Sequence, residues 1–340
     1  MGAQENRTLT IKRALVTGGG GFVGKVVVRR LLDLGVETRV IGRHRYPEVE
    51  AMGAKCLVGD ITDQTIMAQA TEGVDIVFHV AALAGIWGPW NSYYETNVLG
   101  TEKVIDSCRK NRVPMLVYTS TPSVVFNRLD ICGEDERLGY ADSFLCHYAK
   151  SKVMAEKMVL AAHSPGLYTC ALRPHLIWGP GDPHLLPRLL ASGRKRQLKR
   201  VGDGANLVDI SYIDNVADAH ILAAKNLAEQ GTAGGKAFFI SQGTPVNLWR
   251  WIDELFALMD IPKIESAISF GTASRLGHML EAAYSLLRLK QEPRMTRFVA
   301  EQLAKSHYFS ITAARRDLGY EPVVSTEEGL RRTVQWLKSQ

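Results

Sequence analysis

The chain's strongest constraint is the run Thr17-Gly18-Gly19-Gly20-Gly21-Phe22-Val23-Gly24. It directly follows the short apolar segment Ala14-Leu15-Val16 and leads into Lys25–Leu32, whose pattern is helical. A strand, a glycine turn and a helix N-terminus together let backbone N–H groups receive a pyrophosphate. Gly18 supplies the tight turn. Gly21 lets the backbone approach phosphates with no Cβ in the way, Phe22 and Val23 open the helix, and Gly24 lets that helix pack close to the strand. A glycine loop alone can be no more than a turn. Here its weight comes from matching parts downstream.

The 340 residues suffice for one large α/β domain, or for a nucleotide domain with a smaller appendage. A hydrophobic content of 46% with 22% charged residues is that of an ordinary soluble globular chain. The five cysteines, Cys56, Cys108, Cys132, Cys146 and Cys170, are dispersed, and no pair has metal-ligand spacing. They predict a reducing, cytoplasmic setting, most of them buried, and no metal site. Met1–Arg13 is polar and mixed in charge, unlike a secretory leader. The most apolar long segment, Leu276–Leu289, is short for a membrane span and contains His278, Glu281 and Arg288. It reads as a half-buried helix, with peripheral membrane contact or a lid over an apolar substrate as the sharper alternatives. The net charge of +6 raises a nucleic-acid role, yet the densest basic run, Arg194-Lys195-Arg196 with Lys199 and Arg200, has no interleaved aromatics. It reads as a solvated loop, and no nucleic-acid partner is expected.

Strands and helices alternate through the first half. Glu37–Ile41, Lys55–Val58, Asp75–Ala81, Met115–Thr119 and Thr169–Leu172 read as successive strands after the first, with Tyr93–Cys108 and Ala149–Ala162 helical. Near-continuous apolar strands predict a parallel sheet covered on both faces. The rhythm breaks after Gly179 in a cluster of prolines and glycines. Asp209–Ile213 and Phe238–Ser241 read as late strands, and Trp249–Met259, Ser274–Leu289 and Thr326–Leu337 as helices. The expected division is a dinucleotide domain over 12–178 to which elements of 207–242 return. A smaller, mainly helical substrate region takes 179–206 and 243–340.

Tyr148 and Lys152 form a Tyr-x-x-x-Lys pair at the start of a helical segment. At i and i+4 they share one helix face. A tyrosine near its ordinary pKa of about 10 is a poor base at neutral pH, so a neighbouring ammonium has a clear use: it favours the phenolate. Tyr148 can then take a proton from an alcohol or give one to a developing alkoxide. Before it comes the strand Leu116–Thr119, followed by Ser120-Thr121-Pro122-Ser123, and the C-terminal end of such a strand is where open α/β sheets place ligands. Thr121, or next Ser123, is the hydroxyl expected to hold the substrate oxygen; the bland alternative is a hydroxyl satisfying the backbone.

With these residues in place, the chain resembles an extended short-chain dehydrogenase/reductase, and within that group the 3β-hydroxysteroid dehydrogenase branch. Besides the loop and the Tyr/Lys pair, the resemblance rests on Gly59-Asp60, His79-Val80-Ala81-Ala82, Asn97-Val98-Leu99-Gly100-Thr101, Arg173-Pro174 leading to Trp178–Asp182, Val201–Gly204 and Tyr212–His220. It implies a Rossmann-type doubly wound sheet with a smaller C-terminal substrate domain. It also implies an adenine contact from Asp60 with Ile61, a cofactor path lined by Ala81 and Ala82, a supporting Asn97, and a ribose contact from Lys152. Serine is commoner at the position of Thr121, but either hydroxyl donates and accepts. The family often forms homodimers through the helix before the tyrosine and the helix carrying it.

Cofactor choice turns on Val40-Ile41-Gly42-Arg43-His44-Arg45. The acid that binds a ribose diol is missing, and Arg43 stands where a 2′-phosphate would arrive, so NADP(H) is expected over NAD(H). The substrate expected is large and apolar. It is either a β-oxo or β-hydroxy acid, as in the bacterial reductases of 2-alkyl-3-oxoalkanoates, or a sterol oxidised at carbon 3. Ala84–Trp90, Tyr46-Pro47 and Glu292–Arg297 resemble the first group; Asn206–Ala223 and Gly234–Phe238 resemble the second. Trp87, Trp90, Trp178 and the helix around Met279 are candidates for the pocket lining. A nucleotide-sugar epimerase or dehydratase shares the fold but needs a polar pocket, against which the tryptophan-rich loop argues. A non-catalytic dinucleotide-binding regulator would typically lack the tyrosine or the lysine.

Overall fold

The computed structural model describes residues 10–340; the first nine residues, part of the polar N-terminus, lie outside the described residues. Seven strands form one parallel sheet: β1 (Arg13–Thr17), β2 (Glu37–Gly42), β3 (Lys55–Val58), β4 (Ile76–His79), β5 (Met115–Thr119), β6 (Tyr168–Pro174) and β7 (Lys236–Ile240). Their order across the sheet is β7-β6-β5-β4-β1-β2-β3. The order reverses between β1 and β4, which opens a crevice at the carboxyl ends of those strands. Side chains alternate between two apolar faces. Val16, Phe78 and Val117 belong to one core, Leu15, Val77 and Leu116 to the other, so the strands show no polar alternation. Helices α1 (Phe22–Asp33) and α4 (Ile213–Glu229) pack together on one face, and α2 (Gly100–Lys110) and α3 (His147–Ala161) on the other. The doubly wound α/β architecture expected from the strand rhythm is therefore present, with a largely helical C-terminal region.

Four local expectations change. The helix read over Tyr93–Cys108 is three pieces, an α-turn at Trp90–Tyr93, a π-turn at Tyr94–Leu99 and then α2. A π-turn inserts a residue without altering the apolar pattern enough to be read. The fourth strand stops at His79, because the Ala81 N–H leaves the ladder for the Thr17 hydroxyl, 3.2 Å away. Of Asp209–Ile213 only Ser211–Tyr212 is strand, paired with Ile177–Trp178, and α4 begins at Ile213. Finally, Ile131–Glu134, His307–Phe309, Leu207–Val208 and Val246–Asn247 form a second, four-stranded sheet. Strands of two to four residues are too short to show a period.

One buried ion pair ties α3 to β6. The Arg173 guanidinium donates to the Glu156 carboxylate through Nη2 (2.5 Å) and Nε (3.1 Å), and Tyr140 adds its hydroxyl at 2.8 Å. Both charged side chains are nearly inaccessible, at 4% and 0% exposure. Removing one partner strands the other charge in a site with little solvent. Glu156→Gln is expected to lower unfolding stability by roughly 3 kcal/mol, measured by urea denaturation at neutral pH. A loss below about 1 kcal/mol would show that water enters this site freely.

Candidate active site

The β1–α1 turn is built for close approach. Gly18 has φ +69°, and a Cβ there would lie 2.8 Å from the Ala81 backbone. A Cβ on Gly24 would collide with the Gly18 carbonyl oxygen, and one on Gly20 with the ring of Tyr46. Helix α1 is capped by Gly21 with no side-chain hydrogen bond, and its first turn holds no acidic residue. Its first N–H groups, including those of Phe22 and Val23, are thus left for an anion, and the turn fits a dinucleotide pyrophosphate.

A buried polar chain supports that turn. The Thr101 hydroxyl donates to the Asn97 carbonyl at 2.6 Å, so its oxygen accepts from His79 Nε2–H at 2.9 Å. His79 Nδ1 then accepts the Thr17 hydroxyl proton at 2.8 Å, and Thr17 Oγ1 accepts the Ala81 N–H. The Asn97 side chain clamps the Leu83 backbone at 2.7 and 3.1 Å and donates to Ser151 at 2.9 Å. Asn97 therefore acts as a support, set in the π-turn. Its partners Ser151 and Thr101, and Thr17 and His79 further along the chain of bonds, were not singled out from the sequence, although Thr17, His79 and Thr101 lie within the quoted motifs.

Just after β3, Asp60 accepts from the Thr62 N–H and hydroxyl at 2.9 and 2.8 Å. Ile61 is buried, its side chain against Gly100, so only its backbone can face a ligand. Arg43 is exposed and has no hydrogen-bonded or ion-paired partner among the described residues, whereas Arg45 is held by Glu50 at 3.0 Å. Arg43, Asp60 and Thr62 line one part of a cavity of about 1390 Å³. Leu83, Ile86, Trp87, Tyr93, Phe144 and Leu145 form an apolar stretch of its wall, and Glu95, His278, Glu281, Arg288, Lys290 and Arg297 line the remainder with charged and polar groups. Trp87 closes part of it by donating to the Leu289 carbonyl at 3.1 Å. Trp90 is not in the lining; its ring lies against Tyr94 and His147, and Lys150 sits over it. Trp178 is not there either. It is fully buried against Tyr212 and Trp251. Met279 itself is 67% exposed, but the helix around it does line the cavity, through His278, Glu281, Ala282, Tyr284 and Ser285.

Thr121 and Tyr148 are brought together. Burial pushes the Tyr148 phenol up to about 12, against the opposing pull of the neighbouring Thr121 side chain. The cavity reaches Cys146 and His147, the chain neighbours of Tyr148, rather than Tyr148 itself. The Lys152 ammonium sits 4.2 Å over the Tyr118 ring and donates to the Thr119 carbonyl at 2.6 Å. Burial draws it down to about 7, against the attraction of Glu156. Lysine and tyrosine thus share a helix face, but in this state the lysine holds the end of β5 rather than the phenol. Ser123, the second candidate hydroxyl, is taken up with Thr121, its N–H and Oγ both 3.2 Å from Thr121 Oγ1.

Two buried histidines set an acid limit on the fold. Burial lowers His79 to about 3 and His220 to about 4. Both are neutral in the native state, while the unfolded chain takes up protons below about pH 6.5. Stability is therefore unaffected above that pH and falls as pH drops toward 4, by up to about 1.4 kcal/mol per histidine per pH unit. Urea midpoints at pH 7 and pH 5 check this. His79→Gln should shrink the difference between the two pH values.

Comparisons with known proteins give the chain's family. The 3-beta hydroxysteroid dehydrogenase/isomerase family matches residues 15–270. The chain is 47% identical over 323 residues to a 2-alkyl-3-oxoalkanoate reductase of Stenotrophomonas maltophilia, covering 94% of this chain and 98% of that one. It is 33% identical to the mouse sterol-4-alpha-carboxylate 3-dehydrogenase, decarboxylating, covering 95% and 90% of the two chains. Among solved structures, the dTDP-glucose 4,6-dehydratase DesIV of Streptomyces venezuelae, with NAD bound, superimposes with a TM-score of 0.76 at 23% identity, covering 96% and 97%. MoeE5 in complex with UDP-glucose and NAD gives 0.73 at 22%, covering 96% and 99%. At that identity these two establish the fold alone. From its sequence over that span and its fold, the chain belongs to the 3-beta hydroxysteroid dehydrogenase/isomerase family, dehydrogenases and reductases of the extended short-chain type.

Proposed function

We propose that this enzyme interconverts a 3-oxo and a 3-hydroxy group on a large apolar acid, a 2-alkyl-3-oxoalkanoate or its 3-hydroxy form, with NADP(H). The observation that carries the proposal is Thr121 set beside Tyr148 at the carboxyl end of β5, next to a cavity of about 1390 Å³ with an apolar stretch of wall. When bound, the nicotinamide dinucleotide gives or takes the hydride at carbon 3. Thr121 holds the substrate oxygen. Tyr148 gives its proton to that oxygen as it gains charge, or removes one in reverse. A phenol held near 12 is protonated at neutral pH, which suits the reductive direction. Lys152, within one helical turn of Tyr148, stabilises the phenolate that results. Arg288 and Lys290, which line the same cavity and have no ion-pair partners among the described residues, suit a carboxylate substrate better than a sugar.

NADP(H) preference rests on the unpaired Arg43. A homodimer through α2 and α3, and a cytoplasmic setting, complete the proposal; all five cysteines are free thiols, three of them buried. No helix among the described residues is long and apolar enough to cross a membrane. Any membrane contact would be peripheral, through the helix Phe270–Leu286, which exposes Leu276, Met279 and Leu286.

Purified protein with a 2-alkyl-3-oxoalkanoate should oxidise NADPH rapidly and NADH slowly, followed by nicotinamide absorbance. Tyr148→Phe should lower kcat by about 10³ while NADPH binding persists. Arg43→Ala should raise the KM for NADPH about tenfold and leave that for NADH unchanged. Failure of both cofactors with this acid, together with oxidation of a 3β-hydroxysterol, would replace the fatty acid by the sterol.

A further inference from the structure

His220, which the proposed chemistry does not use, is fully buried on α4 on the opposite side of the sheet from Lys152. Its Nδ1 lies 2.7 Å from the Val216 carbonyl, which can only accept, so Nδ1 carries the proton. The Nε2 lone pair therefore faces Thr119 Oγ1 at 2.8 Å, and the threonine hydroxyl donates to it. Thr119 is the last residue of β5, and its carbonyl is the one hydrogen-bond acceptor of the Lys152 ammonium among the described residues. The side chain of Thr119 is held from the α4 side while its carbonyl is held from the α3 side. We infer that His220, acting through Thr119, is a positioning residue for Lys152. This inference rests on the hydride-transfer assignment of Tyr148 and Lys152.

The groups around the ammonium show why one carbonyl matters. From β5 it meets the Tyr118 ring and the Thr119 carbonyl, from α3 the Glu156 carboxylate, and from β4 the neutral His79. Glu156 is already engaged by Arg173 and Tyr140. If the Thr119 hydroxyl loses its acceptor, it must turn to find another, because an unpaired buried hydroxyl is costly. The end of β5 then loosens, the ammonium is less well held, and the Tyr148 phenolate is less favoured.

The test is the pH profile of kcat/KM for oxidation of a 2-alkyl-3-hydroxyalkanoate by NADP⁺. Thr119→Val keeps the side-chain shape and removes the hydroxyl; His220→Leu removes the acceptor. Each should move the acid limb to higher pH by about half to one unit and lower kcat at neutral pH by about three- to tenfold, with KM within about twofold. Thr119→Ser and His220→Gln, whose amide oxygen stands near the Nε2 position, should restore the wild-type profile. The double variant Thr119→Val with His220→Leu should be no worse than the poorer single, as one chain of contacts requires. If His220→Leu fails to fold, Thr119→Val carries the test. Profiles that superimpose on wild type, with only the melting temperature lowered, would overturn the inference and leave His220 a packing residue. Tyr148→Phe is run alongside: loss of turnover there with unshifted Thr119→Val profiles defeats the inference alone, whereas wild-type turnover defeats the assignment beneath it as well.

Discussion

A single run of buried hydrogen bonds joins the cofactor turn to the acid/base helix. It starts at the Ala81 N–H and passes through Thr17, His79, Thr101, Asn97 and Ser151 to end on the Tyr148 carbonyl, 2.8 Å from Ser151 Oγ. It links β1, β4, the π-turn before α2, and α3. Every donor in it has one acceptor, which is what makes a buried polar network favourable rather than costly. Because His79 is neutral, no charge is stranded along it. Distances between the glycine turn and Tyr148 are thus set by hydrogen bonds of fixed direction, not by packing alone.

Apolar matter surrounds that run on both sides of the sheet and sets the electrostatics of the site. Burial keeps Tyr148 protonated and weakens the proton affinity of Lys152, so the two groups approach each other's range from opposite directions. Groups so displaced by desolvation collect where proton transfer is done. The same low polarity makes the Glu156–Arg173 pair, one helical turn after Lys152, a constraint on where α3 can lie along β6.

Much of the fold was legible from residues alone. The strands β1, β2, β3, β5, β6 and β7 fall within two residues of their expected ends, because a strand buried on both faces must be a short continuous apolar run. The π-turn, the early end of β4 and the four-stranded second sheet were not legible. The last two depend on hydrogen bonds to residues distant in the chain, such as Ala81 to Thr17 or Ile131 to Ser306, and the π-turn inserts a single residue that leaves the apolar pattern almost unchanged. Trp178 shows the same limit: a tryptophan beside a glycine-proline turn reads equally as pocket or core, and only its contacts with Tyr212 and Trp251 decide.

The sequence by itself determined the chemistry on offer: a glycine turn for a pyrophosphate, a tyrosine and lysine four residues apart on a helix, a hydroxyl at the end of a strand, and an arginine where an acid is usual. Those are local patterns, carried by spacing and by which side chains lack a Cβ or bear a proton. Only the tertiary structure decided which of these groups meet. It placed Thr121 against Tyr148, turned Lys152 toward the Thr119 carbonyl, left Arg43 free while Glu50 took Arg45, and set His220 behind β5. Partners carried on different elements, such as Thr119 with Lys152 or with His220, leave no periodic trace, because their pairing is fixed by the packing of whole elements.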